Sequence, residues 1–143
     1  MTTAREIMHQ GAECIADNET LEHAARRMRD LNVGALPICG EDDRLHGIIT
    51  DRDIVVRCLA EGKDPRSVTA REFGKGAPIW VEADTDVDEA VRLMVDNKIR
   101  RLPVIHDHRL VGMISEADIA THLGEHEVAE FASKIYSAPP SRI

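Results

Sequence analysis

The sequence predicts an α/β fold of the mixed α+β kind, built from two copies of one βαββα unit. The first observation is an internal repeat, because a shift of 66 residues lays residues 3–6 onto residues 69–72, with Thr-Ala-Arg-Glu in both places. The second is an apolar spacing of i, i+3, i+4 and i+7 in each copy, which is typical of an amphipathic helix. The third is a pair of short apolar runs around a polar turn after each helix, which indicates a hairpin.

The repeat stays in register beyond its first residues. A one-residue deletion in the hairpin turn changes the shift to 65, which then aligns Gly47 with Gly112 and Asp53 with Asp118. Similarity over such a period marks a duplicated supersecondary unit whose apolar face needs its neighbour. We therefore divide the chain into a first motif at residues 1–65, a second at residues 66–126, and a C-terminal helix with a loose tail at residues 127–143.

The elements of each copy follow from local patterns. The first helix has its apolar stripe at Leu21, Ala24, Ala25 and Met28, or at Val87, Ala90, Val91 and Met94. Thr20 and Asp86 are its predicted N-caps. Strands precede it near Cys14 and near Trp80, and the right-handed crossover places each of them parallel to the Leu-Pro strand that follows. The last helix starts at Thr50 or Ser115, and Val128, Phe131, Ala132 and Ile135 form the stripe of one more helix, which ends before Pro139 and Pro140.

Composition narrows the classes of function. Eighteen basic against 26 acidic residues give a net charge of −8, without a basic run, so we expect no nucleic-acid partner. Neither an export signal nor an apolar run of membrane-spanning length is evident, so we expect a cytoplasmic protein with no membrane partner. No nucleophile with an adjacent base is apparent either, and we expect no enzyme activity.

The order of elements, with its Leu-Pro-Ile strand, its Gly-Ile-Ile-Thr strand and its Thr-x-x-Asp helix start, resembles the CBS motif, and two such motifs resemble a Bateman module. The resemblance implies pseudo-twofold packing of the two motifs and assembly as a homodimer. It also implies a regulatory protein that requires no cofactor and binds AMP, ATP or S-adenosylmethionine in clefts between the motifs.

The same resemblance assigns binding residues at the two helix starts. Thr50 and Asp53 in the first copy, and Ser115 and Asp118 in the second, match the hydroxyl and ribose-binding positions of the family, and Arg52 could add charge. An Asp can accept hydrogen bonds from both ribose hydroxyls. The alternative is that both motifs are capping boxes, in which the hydroxyl and the carboxylate satisfy backbone N–H groups.

Adenine is expected between the first strand and the Leu-Pro strand. This nominates one set of apolar residues in each copy, namely Ile15, Leu36 and Ile38 in the first and Trp80, Leu102 and Val104 in the second. Each of them could equally belong to the core. Trp80 could stack on a base, or it could be packed or face a dimer mate.

Arg100 and Arg101 break the symmetry of the repeat, because Gly and Ala stand at the matching positions 34 and 35. They could contact an anionic ligand, or they could be surface charges or part of a dimer salt bridge. On the first interpretation, the second copy is the better site for a phosphorylated ligand.

Cysteines and histidines leave redox and metal chemistry open. Cys14 and Cys39 are predicted on adjacent strands, where a disulfide is possible, although a dithiol is the default in a reducing cytosol. His122 and His126 are spaced i, i+4, as two zinc ligands on one helix would be, but no third ligand is evident. We therefore predict no metal site and interpret His106 and His108 as solvated loop residues.

Overall fold

A computed structural model describes residues 1–10, 13–74 and 79–136 of the chain. These residues form two compact units. One is continuous in sequence and spans Ala12–Pro78, and we call it the continuous unit. The other combines Met1–Gly11 with Ile79–Ile143, and we call it the split unit.

The continuous unit has a three-stranded sheet in the order β2-β3-β4. Strand β2 is parallel to β3, and β3 is antiparallel to β4, as the crossover and hairpin predictions require. A helix lies between β2 and β3, and two short helical segments follow β4 before a 3-10 helix. In chain order the elements are β2 (Ile15–Ala16), α2 (Leu21–Leu31), β3 (Ala35–Cys39), β4 (Leu45–Thr50), α3 (Asp51–Ile54), a π-helical turn (Val55–Leu59) and the 3-10 helix (Ala70–Phe73).

The split unit repeats this plan and adds a strand and a helix. Its sheet has the order β1-β7-β6-β5, with β5 parallel to β6 and the β6–β7 hairpin antiparallel. The elements are α1 (Ala4–Ile7), β1 (His9–Gln10), β5 (Val81–Glu82), α4 (Val87–Asn97), β6 (Arg101–His106), β7 (Arg109–Ser115), α5 (Glu116–His122) and α6 (Glu125–Ile135).

Both predicted N-caps are confirmed. The Thr20 side chain accepts a hydrogen bond from the His23 backbone N–H at 3.2 Å, and Asp86 accepts one from the Asp88 N–H at 2.8 Å. The added helix α6 starts two residues before the predicted Glu127 and buries Phe131 and Ile135 in the core of the split unit. The prolines expected to end it lie outside the described residues.

The compact units are offset from the sequence repeats by one short segment. Thr3, at the start of the first repeat, forms a bridge with Asp86 in the split unit, and Thr69, at the start of the second repeat, forms a bridge with Thr20 in the continuous unit. Each Thr-Ala-Arg-Glu segment therefore packs with the sheet of the other copy. The split at residues 65 and 66 remains a prediction about the repeat.

Two aligned glycines allow these segments to cross the hairpins closely. A Cβ on Gly47 would lie 2.9 Å from both the Phe73 carbonyl oxygen and the Gly74 Cα. A Cβ on Gly112 would lie 2.8 Å from the His9 carbonyl oxygen and would also overlap Met8. Since backbone cannot yield as a side chain end can, both positions require the absence of a Cβ.

Cys14 and Cys39 form a disulfide with Cα atoms 5.6 Å apart. Of the two states that the sequence left open, the structure therefore has the disulfide and not the dithiol. Adjacency of β2 and β3 is the physical reason, since it brings the two Cα atoms within bridging distance. Cys58 is free and buried. Disulfides are commonest in oxidising compartments. The disulfide therefore does not support the expected cytoplasmic location, which stays a prediction.

Among the described residues, no helix combines the length and the apolar character that crossing a membrane demands.

Candidate functional site

In the continuous unit, Thr50 and Asp53 lie where β4 passes into α3. The Asp53 N–H donates to Thr50 Oγ1 at 3.1 Å, and the Thr50 N–H donates to Asp53 Oδ2 at 3.0 Å. This is the capping box that the alternative interpretation predicted. It leaves the Thr50 hydroxyl proton and Asp53 Oδ1 without a hydrogen bond to any described residue, so the cap does not use up the binding capacity of the pair.

Arg57 connects this pair to an open cavity. Its guanidinium lies 3.6 Å from Asp53 Oδ1 and 4.6 Å from the centre of the Phe73 ring. The cavity has a volume of about 330 Å³ and is lined by Arg57, Glu61, Lys63, Glu72 and Phe73. An aromatic ring, two cations and two carboxylates therefore line the cavity, and the Asp53 carboxylate, 23% exposed, lies beside it through Arg57.

Arg52 has an exposed side chain next to Thr50. No carboxylate of the described residues lies within ion-pair distance of it. Arg52 is therefore available to an anionic group near the Thr50 hydroxyl.

The matching pair in the split unit, Ser115 and Asp118, also forms a capping box, at the start of α5. Asp118 Oδ2 accepts hydrogen bonds from the Ser115 N–H at 2.8 Å and from the Ser115 hydroxyl at 2.9 Å. The same oxygen lies 2.8 Å from His9 Nδ1. This carboxylate is therefore more fully engaged than that of Asp53, and its side chain is 15% exposed.

Arg100 is already paired with an acidic residue and an aromatic ring of its own unit. Its Nε lies 3.4 Å from Glu116 Oε1, and its guanidinium lies 4.7 Å from the centre of the Tyr136 ring. The Tyr136 hydroxyl donates to Glu116 Oε2 at 2.8 Å, and this bond raises the pKa of Tyr136. Arg101 opens β6 opposite Ser115 and is partly buried. Of the alternatives for Arg100, the structure therefore has a salt bridge, and this salt bridge lies within the chain.

Five of the six residues nominated for adenine lie in the two cores. Ile15, Leu36 and Ile38 belong to the core of the continuous unit, and Leu102 and Val104 to that of the split unit, none more than 2% exposed. Trp80 differs, because 43% of it is exposed. These five residues are therefore core residues, which was the alternative to adenine binding, whereas Trp80 is not packed inside its unit.

The two histidines of the i, i+4 pair lie on different helices. Helix α5 ends at His122, and α6 begins at Glu125. His122 Nδ1 lies 2.9 Å from the Asp118 carbonyl oxygen, whereas His126, 94% exposed, lies 3.9 Å from Glu130. The helical face that would have joined them as zinc ligands does not form, because the chain is extended at Leu123 and Gly124.

A different group of potential metal ligands lies at the ends of β5 and β6. Glu82, Asp84 and His106 each offer one ligand atom, and these atoms lie within 4.8 Å of one another. His106 Nδ1 is 3.0 Å from Glu82 Oε1, and Asp84 is 3.8 Å from Arg5 Nε. Parallel pairing of β5 with β6 brings them together, so His106 is a strand-end residue and not a loop residue.

Sequence reasoning missed several residues of these sites, and three of them differ in the signal that could have found them. Arg57 follows Asp53 by four positions, a spacing that predicts contact on one helix. Phe73 aligns with buried Ile7 under the 66-residue shift, which could have indicated that it reaches the continuous unit. His9 gave no signal, because its contact with Asp118 spans 109 residues of sequence.

Two repeats with capped Thr/Ser-x-x-Asp helix starts define a protein with paired CBS domains. The CBS domain family matches residues 4–59 and 70–125, so the chain belongs to this family and is a CBS-pair regulatory protein. It is 50% identical to hypoxic response protein 1 of Mycobacterium tuberculosis over 137 residues, which is 96% of each chain. The predicted CBS pair and its mixed α/β fold are thereby confirmed.

Solved structures extend the comparison. A crystal structure of hypoxic response protein I with two coordinated zinc ions has a TM-score of 0.79 and 51% identity, covering 86% of this chain and all of that one. A hexameric CBS-CP12 protein from bloom-forming cyanobacteria has a TM-score of 0.74 and 31% identity, covering 85% and 71%. CBSX2 in complex with AMP has a TM-score of 0.70 at 20% identity, covering 83% and 93%, and shares the fold.

Glu116→Gln is expected to lower the pKa of Tyr136. The amide accepts a weaker hydrogen bond than the carboxylate and does not repel the tyrosinate. Tyr136 is the one tyrosine of the sequence, so an ultraviolet absorbance titration of tyrosinate reports it directly. Glu125→Gln, at the start of α6, is the matched control and should leave the curve in place. An unchanged curve in Glu116→Gln would contradict the contact.

Proposed function

We propose that this CBS-pair protein senses an adenosine-containing ligand such as AMP, ATP or S-adenosylmethionine, and that its principal site is at Thr50 and Asp53. The observation that carries the proposal is Asp53 Oδ1, which accepts no hydrogen bond from a described residue and lies 3.6 Å from Arg57 at the cavity that Phe73 lines. One ribose hydroxyl would donate to Oδ1, and the second would share Oδ2 with the Thr50 N–H. The AMP complex of CBSX2 supports the ligand class.

The remaining groups of the continuous unit suit the rest of such a ligand. The Thr50 hydroxyl proton and the Arg52 guanidinium can donate to a phosphate. Phe73 offers a ring face to the adenine, although Arg57 already stacks there and would have to move or share it. The Arg100 contacts and the His9 contact weaken the case for the split unit, so we place the principal site in the first copy and not in the second.

Asp53→Asn is expected to abolish most of the stabilisation that AMP gives to the wild-type chain. The asparagine can still cap α3 but provides one carbonyl acceptor for two ribose hydroxyls. At a ligand concentration about 100 times Kd, the wild type should gain about 2.7 kcal/mol of unfolding free energy. Thermal unfolding with AMP, ATP and S-adenosylmethionine measures this.

Asp51→Asn is the matched control, since Asp51 is the exposed neighbour in the same turn. It should leave the ligand response intact. A wild type that responds to none of the three ligands, or an Asp53→Asn variant that responds like the wild type, would contradict the proposal.

We infer that the protein assembles as a homodimer through the π-helical turn of the continuous unit. Val55, Val56 and Leu59 are 55%, 42% and 53% exposed, and they form an apolar patch on one turn. The aligned residues of the second copy are Ala120, Thr121 and Gly124, which lack such a surface. The hexameric relative supports self-association in this family. A second copy of the chain is the expected partner for this patch, because most soluble oligomers are homo-oligomers.

Val56→Glu is expected to shift the protein from dimer to monomer in sedimentation velocity, because burying a carboxylate in an apolar interface is costly. Val33→Glu is the matched control, since Val33 is also 42% exposed but lies at the end of α2. A monomeric wild type, or a dimeric Val56→Glu, would contradict this interface.

A second candidate function is a ligand-independent stress-response protein with metal or redox sensitivity. The Glu82–Asp84–His106 group and the zinc-containing relative favour its metal form. One imidazole nitrogen and two carboxylates are a ligand set that zinc accepts, with a fourth position left to water. The disulfide would be its redox element.

His106→Ala is expected to weaken zinc binding at least tenfold in a calorimetric titration, because it removes one of three ligands. His108→Ala removes an exposed histidine of the adjoining hairpin turn and should leave the affinity unchanged. Equal affinity in wild type and His106→Ala would exclude this group as the site.

A further inference from the structure

His9 occupies a hydrogen-bonding position on the carboxylate of the split unit. Strand β1 pairs antiparallel with β7, with His9 opposite Met113, and this register aims the imidazole at the start of α5. His9 Nδ1 lies 2.8 Å from Asp118 Oδ2. Because an ionised carboxylate only accepts, Nδ1 carries the proton and donates it.

A ribose needs the same oxygen. The two hydroxyls of a ribose diol reach a carboxylate best when each bonds to a different oxygen. Asp118 Oδ2 already accepts from the Ser115 N–H, the Ser115 hydroxyl and His9, so it has no capacity for a fourth donor. Oδ1 accepts from no described residue, but on its own it can bind only one of the two ribose hydroxyls.

We propose that His9 competes with the ribose of a ligand for Asp118 and closes the site of the split unit. This rests on the proposed function in that it takes ribose as the ligand group. The His9 contact holds the side chain over a carboxylate that is only 15% exposed, and displacing it uncovers Oδ2.

In the part of the chain that the structure describes, Asp118 is the one carboxylate within ion-pair distance of His9, and His9 is the one basic side chain within that distance of Asp118. The other charged or titratable groups on these neighbouring elements are Arg5 and Glu6 on α1, Arg101 and His106 on β6, Arg109 on β7, and Glu116 and His122 on α5. His122 bonds to the Asp118 carbonyl oxygen and not to its carboxylate.

The test uses full-length Asp53→Asn protein, in which the principal site is removed, and adenosine, which carries a ribose but no phosphate to titrate. Calorimetry compares adenosine binding by this protein and by Asp53→Asn/His9→Ala. Removing His9 should strengthen adenosine binding about tenfold or more, the value of one hydrogen bond to a charged group.

Asp53→Asn/Gln10→Ala is the matched control, because Gln10 is the exposed neighbour of His9 on β1. It should behave like its parent and so separates the His9 contact from a general loosening of the strand. The inference is overturned if the Asp53→Asn/His9→Ala protein binds adenosine no better than its Asp53→Asn parent. Failure of the proposed function is seen separately, as a wild type that does not respond to AMP through Asp53.

Discussion

Both candidate sites depend on one steric constraint, the close crossing of a repeat's first segment over the hairpin of the other repeat. At Gly47 the crossing backbone belongs to Phe73 and Gly74, and at Gly112 it belongs to Met8 and His9. A Cβ at either glycine would collide with backbone, so the crossing exists only where the side chain is missing. The crossing also determines which residue of the crossing segment lies near the start of the next helix, namely Phe73 in one unit and His9 in the other.

The same architecture therefore gives two sites of different character. In the continuous unit the crossing segment supplies Phe73, which stacks on Arg57 and borders a cavity beside Asp53. In the split unit it supplies His9, which bonds directly to Asp118. The capping boxes satisfy backbone groups in both units, and they leave Oδ1 of each carboxylate without a hydrogen bond to a described residue. The two sites differ at Oδ2, which accepts one hydrogen bond in Asp53 and three in Asp118. On the proposed function, Asp53 therefore serves ligand sensing, whereas Asp118 is controlled by its own chain.

Sequence patterns predicted the elements well because they depend on local physics. Helical periodicity, the Thr20 and Asp86 caps and the parallel crossover all follow from residues close in sequence. The contacts that distinguish the sites did not follow, because they join residues far apart, as His9 and Asp118 are. The charge of Arg100 was visible, but its pairing with Glu116 and Tyr136 was not. The cysteine pair shows the same limit, since strand adjacency could be predicted while the oxidation state could not.

The most direct test of this account is a crystal structure of the protein grown with AMP near neutral pH. The account predicts nucleotide density with the ribose on Asp53 and the base near Phe73. It also predicts that Asp118 carries no nucleotide while His9 keeps its hydrogen bond to that carboxylate. Nucleotide bound to Asp118 with His9 still in place, or bound away from both carboxylates, would contradict it.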